Sequence, residues 1–90
     1  PDIFTILLKD NKDLFDYYIN HFPEKINVKD DDARNALFYL LDIEKNVAYF
    51  YEKLRSLGLK LEKDKYHLSV LKYAKMENNN TIKKLIKDEK

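Results

Sequence analysis

The segment Asp30-Asp31-Asp32-Ala33-Arg34-Asn35-Ala36-Leu37-Phe38-Tyr39-Leu40 returns 34 residues later as Asp64-Lys65-Tyr66-His67-Leu68-Ser69-Val70-Leu71-Lys72-Tyr73-Ala74. Each copy runs from an Asp through a short polar turn to a capping-type residue, then into a short apolar helix. Self-similarity at a period near ~33 residues is the mark of stacked units, because one unit cannot bury its apolar face without a neighbour. For a chain of 90 residues that constraint excludes most other architectures.

Helical spacing dominates the rest. Phe4, Leu7 and Leu8 share one helical face, and Phe15, Tyr18, Ile19 and Phe22 share another. The polar break Asp10-Asn11-Lys12-Asp13 between them suits a tight helix–helix turn. Asp2, Asn35 and Ser69, spaced 33 and 34 apart, are each N-cap types, able to accept the free amide hydrogens of a first turn. Gly58 falls where the Val47–Leu54 stripe should end, and Thr81 is the expected cap of a last helix carrying Ile82, Leu85 and Ile86. Two alternating stretches, Lys25-Ile26-Asn27-Val28 and Leu59-Lys60-Leu61-Glu62, read as strand-like arms of hairpin loops. The expected architecture is therefore all-α: one domain over residues 1–90 in units of about 1–29, 30–63 and 64–90.

Composition agrees. Hydrophobic residues at 44% and aromatics at 13% can build a core, and one Gly with two Pro leaves few tight turns. With no Cys there is neither a disulfide framework nor a thiolate metal site. No apolar run approaches the ~20 residues of a membrane span, and no signal peptide is visible. The compartment is left open by the sequence, an intracellular, cytoplasmic one being slightly favoured. Starting on Pro1, the chain is expected to begin at a processing boundary. Net charge is +1, divided unevenly: residues 61–90 carry eight Lys against five acids, whereas residues 1–30 carry four Lys against six.

Helix, turn, helix and extended loop at this period resemble the ankyrin repeat. The third unit carries the likeness best: Asp64 stands for the family's leading Asp, Ser69 for its Thr, Val70-Leu71 for its Pro-Leu, Ala74 for its Ala and Asn78 for its turn Gly. Asp30, Asn35, Ala36, Leu37, Leu54 and Gly58 match in the second unit, which has about two extra residues near 44–48. Ile26-Asn27 matches the family's closing Val-Asn. Tetratricopeptide repeats have a similar length without the Asp-led loop. The resemblance spans about two and two-thirds repeats and implies an α-solenoid of stacked helix–turn–helix units joined by extended hairpin loops. Ala33 and His67 replace the family's loop Gly, and Phe38 and Lys72 replace its linking His, which implies looser ties between neighbouring loops. The first helix, Ile3-Phe4-Thr5-Ile6-Leu7-Leu8, is greasier than an outermost cap should be. It suggests self-association there, or that the chain is the C-terminal part of a longer array.

No catalytic constellation is present. One Gly permits neither a phosphate loop nor a nucleophile elbow. His21 and His67 lack metal-pair spacing, and Asp30-Asp31-Asp32 lacks the spaced ligands and Gly of a calcium loop. Neither an enzyme nor a cofactor is expected, and no small-molecule substrate is implied. Such arrays bind proteins on a concave surface of loop tips and first helices. The resemblance carries contact positions over to Asp31, Asp32, Arg34, Asp42 and Ile43 in the second unit, and to Lys65, Tyr66, Leu68, Met76 and Glu77 in the third. Tyr66 and Arg34 are the favoured anchors, both types being enriched at hot spots. The alternatives are nucleic-acid binding through the basic C-terminal third and a purely structural cap of a longer array.

Overall fold

The computed structural model describes residues 1–89. Six α-helices follow in chain order: α1 Ile3–Leu8, α2 Lys12–His21, α3 Ala36–Tyr39, α4 Val47–Ser56, α5 Val70–Met76 and α6 Asn80–Lys87. Short 3-10 turns at Pro23–Lys25 and Leu40–Asp42 follow α2 and extend α3. No strand occurs among the described residues, so the all-α expectation holds.

The helices start where capping chemistry places them. Asp2 accepts the Thr5 amide at 2.8 Å, Asn35 the Leu37 amide at 3.1 Å, and Ser69 the Lys72 amide at 3.1 Å. The last helix departs from expectation. Asn79 caps it by accepting the Ile82 amide at 3.1 Å, while Thr81 lies inside its first turn. The physical reason is register: an N-cap side chain reaches the amide two or three positions on, and Asn79 holds that offset from Ile82.

α1 packs against α2 and α3, α3 against α4, α4 against α6, and α5 against α6. Bulky rings fill the joints: Phe15 stacks on Phe50 at 4.2 Å between centroids, and Phe4 on Tyr39 at 4.5 Å. Such pairs contribute about 0.5–1.5 kcal/mol beyond their burial. The greasy first helix is covered: Ile3, Ile6 and Leu7 are all buried by the chain's own contacts. Phe4 is partly buried and Leu8 stays 49% exposed, so the apolar surface that α1 leaves outward is Leu8 with the edge of Phe4.

The two arms read as strand-like do not form strands. Lys25 belongs to a 3-10 turn, and a single antiparallel bridge, Lys63 to Ser69, flanks the second loop. Each arm still sends one apolar residue inward, Ile26 and Leu59 both being buried. Arms this short make too few ladder bonds to define a strand.

Four non-glycine residues take left-handed backbone: Asp10 at φ 51°, Ala33 at 60°, His67 at 65° and Asn78 at 57°. Asp and Asn tolerate this region better than most residues. Ala33 and His67 sit at matching turns of the two loops, where the repeated pattern lacks a Gly. Replacing either by Gly is expected to stabilise the fold by about 0.5–1 kcal/mol, the left-handed penalty less the entropy of a Gly. In thermal unfolding that is a rise of roughly 2–8 °C. Gly58→Ala should act oppositely: a Cβ there meets nothing within 4 Å, so the loss would come from φ +100° alone. Unchanged melting in all three variants would contradict the turn assignment.

Candidate functional site

The two Asp-led turns are built alike. Asp30 Oδ1 accepts the amides of Asp32 and Arg34 at 2.8 and 3.0 Å, and its Oδ2 accepts the Tyr39 hydroxyl at 2.6 Å. In the next turn Asp64 Oδ1 accepts the amides of Tyr66 and Leu68 at 2.9 and 3.0 Å, and its Oδ2 accepts the Tyr73 hydroxyl at 2.5 Å. Both turns therefore pair an Asp with a Tyr nine residues later, so that a helix residue closes the loop that precedes it.

Arg34 couples the two turns. Its Nε donates to Asp64 at 3.0 Å and its Nη2 to the Tyr73 hydroxyl at 2.9 Å, while its Nη1 lies 3.5 Å from Asp32. Lys65 adds a second tie, its backbone amide donating to the Asp32 carbonyl at 2.9 Å and its ammonium pairing with Asp32 Oδ1 at 2.9 Å. The loosening implied by the missing linking His is not found, because Arg34 and Lys65 do the linking instead. The Asp64 side chain is fully covered. Burial works against its charge, but hydrogen bonds from Tyr73, the Leu68 amide, Arg34 and the Tyr66 amide outweigh it and hold its carboxyl down to about 2. Burial, with Asp30 beside it, pushes the Tyr39 hydroxyl up to about 12.

Beside this network lies a groove of about 280 Å³, bounded by the first Asp-led turn, by α3 with the 3-10 turn after it, and by α5 with its C-cap. Phe38, Tyr39, Leu41 and Tyr73 give it apolar walls, and Asp32, Arg34, Asp42 and Glu77 face it. The structure thus brings four of the ten expected contact residues to one place. Asp31, Tyr66 and Met76 are exposed outside the groove lining. Tyr66 lies with its ring 5.8 Å from the Arg34 guanidinium and 5.3 Å from the Lys65 ammonium. Leu68 is half-buried. Ile43 must be corrected: it is 7% exposed and belongs to the core, because the 3-10 turn after α3 rotates it inward.

Two further corrections concern charge. Asp32 and Lys65, both carried over as contact positions, pair with each other. Arg34 is spent on Asp64 and Tyr73, so it holds the site together before it contacts anything else. Sequence reasoning missed Tyr39 and Tyr73 as closures, although their equal distance from the two Asp residues was open to view.

Between the first and second helix pairs the tie is again a carboxylate. Asp10 accepts the amides of Glu44, Lys45 and Asn46 at 3.2, 2.7 and 2.9 Å, and the Asn46 side chain donates to its carbonyl at 2.8 Å. At the other end Glu89 accepts hydrogen bonds from the buried Tyr51 hydroxyl and from Arg55 Nη2, the latter at 2.6 Å. Among the described residues no group of three or more His, Cys, Asp or Glu is placed to hold a metal ion, and no helix is long and apolar enough to cross a membrane. In comparisons with known proteins, no family model, no curated protein and no solved structure matches the chain.

Two outcomes test the network. A carboxyl depressed from 3.8 to about 2 favours the folded state above pH ~4, and that contribution is lost as pH falls through ~2. Asp10, Asp30 and Glu89 are lowered in the same direction. Melting temperature should therefore be nearly flat above pH ~5 and fall steeply between pH ~4 and ~2. In Tyr73→Phe, a carbon-13 titration of the Asp64 carboxyl should move upward towards 3.8; an unmoved titration would remove Tyr73 from the network. Tyr39→Phe deletes a bond to a charged group, and denaturant unfolding should report a loss of about 1.5–2 kcal/mol.

Proposed function

We propose that the chain is a non-catalytic protein-interaction module, an ankyrin-type stack of three helix pairs that engages a partner segment in the groove between α3, α5 and the Asp30-led turn. The observation that carries this reading is the groove itself, with aromatic walls beside two exposed acids, Asp42 and Glu77. Neither acid takes a hydrogen-bond or ion-pair partner among the described residues, unlike the other charged groups lining it. Rigidity supports it as well. Walls held by Asp30–Tyr39, Asp64–Tyr73 and Arg34 need little ordering on binding, which lowers the cost of association. The ankyrin likeness draws support from caps at matching positions and from left-handed turns at Ala33 and His67, where that family has Gly.

The placement of Arg34 decides how the reading is tested. Arg34→Ala would release Asp64 and destabilise both turns, so lost binding in that variant would not identify a contact. Asp42→Ala, Glu77→Ala and Tyr66→Ala change exposed side chains instead. Peptides selected from a random displayed library on the immobilised protein should lose about tenfold or more in affinity to the triple variant, the loss of roughly 1.4 kcal/mol. Its circular dichroism should match the parent's. Equal binding of the selected peptides to parent and variant would place recognition elsewhere, and failure to enrich any peptide would count against an interaction role.

A further inference from the structure

α5 and α6 leave a second surface at the far end of the fold. Between them runs a shallow cleft of about 560 Å³, floored by Leu71 and the edge of Ile86 and rimmed by Lys75, Lys83, Lys84 and Lys87. Asp88 also lines it, and Lys84 takes up that carboxylate at 3.0 Å. Lys75, Lys83 and Lys87 have no ion-pair partner among the described residues. The lining is more apolar than polar despite these lysines. Leu71 makes the contrast within the chain: its counterpart 34 residues earlier, Leu37, is fully buried, whereas Leu71 keeps part of its side chain at the surface, beside the buried Ile86.

We propose that this cleft docks an acidic amphipathic helix of a partner protein, apolar side chains lying on Leu71 and Ile86 and carboxylates reaching Lys75, Lys83 and Lys87. Charge complementarity selects the occupant: a neutral apolar helix would leave three ammonium groups facing it without partners, whereas a helix with Glu or Asp flanking its apolar stripe satisfies both. Other polyanions fit less well. No aromatic side chain lines the cleft, so bases have no stacking platform. The chain's net charge of +1 offers little counterion release on a long nucleic acid. Two apolar side chains are too few to anchor a membrane surface. This surface is distinct from the α3–α5 groove, and its occupancy does not depend on that groove's role.

The test uses the 90-residue protein and a fluorescent ~16-residue helical peptide of Glu and Leu with Leu at i, i+4, i+7 and i+11, beside a scrambled peptide of equal composition. The ordered peptide should bind, and nitrogen-15 amide shifts should concentrate at residues 71, 75, 83 and 87. Lys83→Glu with Lys87→Glu should weaken binding about tenfold, and Lys83→Gln with Lys87→Gln by less; Lys84 is left to Asp88. The proposal is overturned if the scrambled peptide binds equally well, if the shifts fall in the Asp42–Glu77 groove, or if neither double variant weakens binding. It is also overturned if oligo-dT or vesicles of phosphatidylserine and phosphatidylcholine bind more tightly at equal ionic strength, the outcomes that would make the cleft a nucleic-acid or lipid site.

Discussion

A single carboxylate, that of Asp64, gathers two backbone amides, a tyrosine hydroxyl and an arginine in one covered position. The two amides shape its own turn, the hydroxyl attaches that turn to α5, and Arg34 attaches the whole to the preceding turn. Taking a carboxylate out of water is costly unless its oxygens are fully bonded, and here four donors meet them. Among the described residues no fully buried side-chain polar atom lacks a partner, so the same rule holds through the fold.

Neighbouring helix pairs are joined by apolar rings in the core and by carboxylates at the turns. Phe15 against Phe50 belongs to the first kind, and Asp10 on the 44–46 amides and Asp64 on Arg34 to the second. The apolar contacts carry most of the driving force, being roughly proportional to area removed from water. The polar ones fix which turn faces which helix, since each bond exists at one register. That division explains why the groove is well defined although its walls come from α3 and α5, elements remote in the chain.

Local chemistry was legible in the sequence; the direction of long side chains was not. Asp2, Asn35 and Ser69 could be read as caps because capping acts over three residues, and Gly58 as a helix end because its backbone geometry is local. Thr81 was misplaced because Asn79 offered a rival cap two residues earlier, and nothing short of the helix register separates them. Ile43 was assigned to the surface by repeat position, but it ends the 3-10 turn after α3 and points into the core. Arg34 was read as an anchor for a partner since its type suits one. Its true engagement spans 30 and 39 residues, to Asp64 and Tyr73, and such distances leave no periodic trace.

The Asp10 bonds bear on how the connection between α3 and α4 can vary in length. Three successive amides of that connection, those of residues 44, 45 and 46, donate to the side chain of Asp10, in the turn between α1 and α2. The backbone of an exposed connection is thus held by a neighbouring turn. A change of length in such a connection is tolerable where an adjoining turn offers a carboxylate to receive the displaced backbone, and that requirement makes acceptance of length variation a property of two neighbouring turns instead of one.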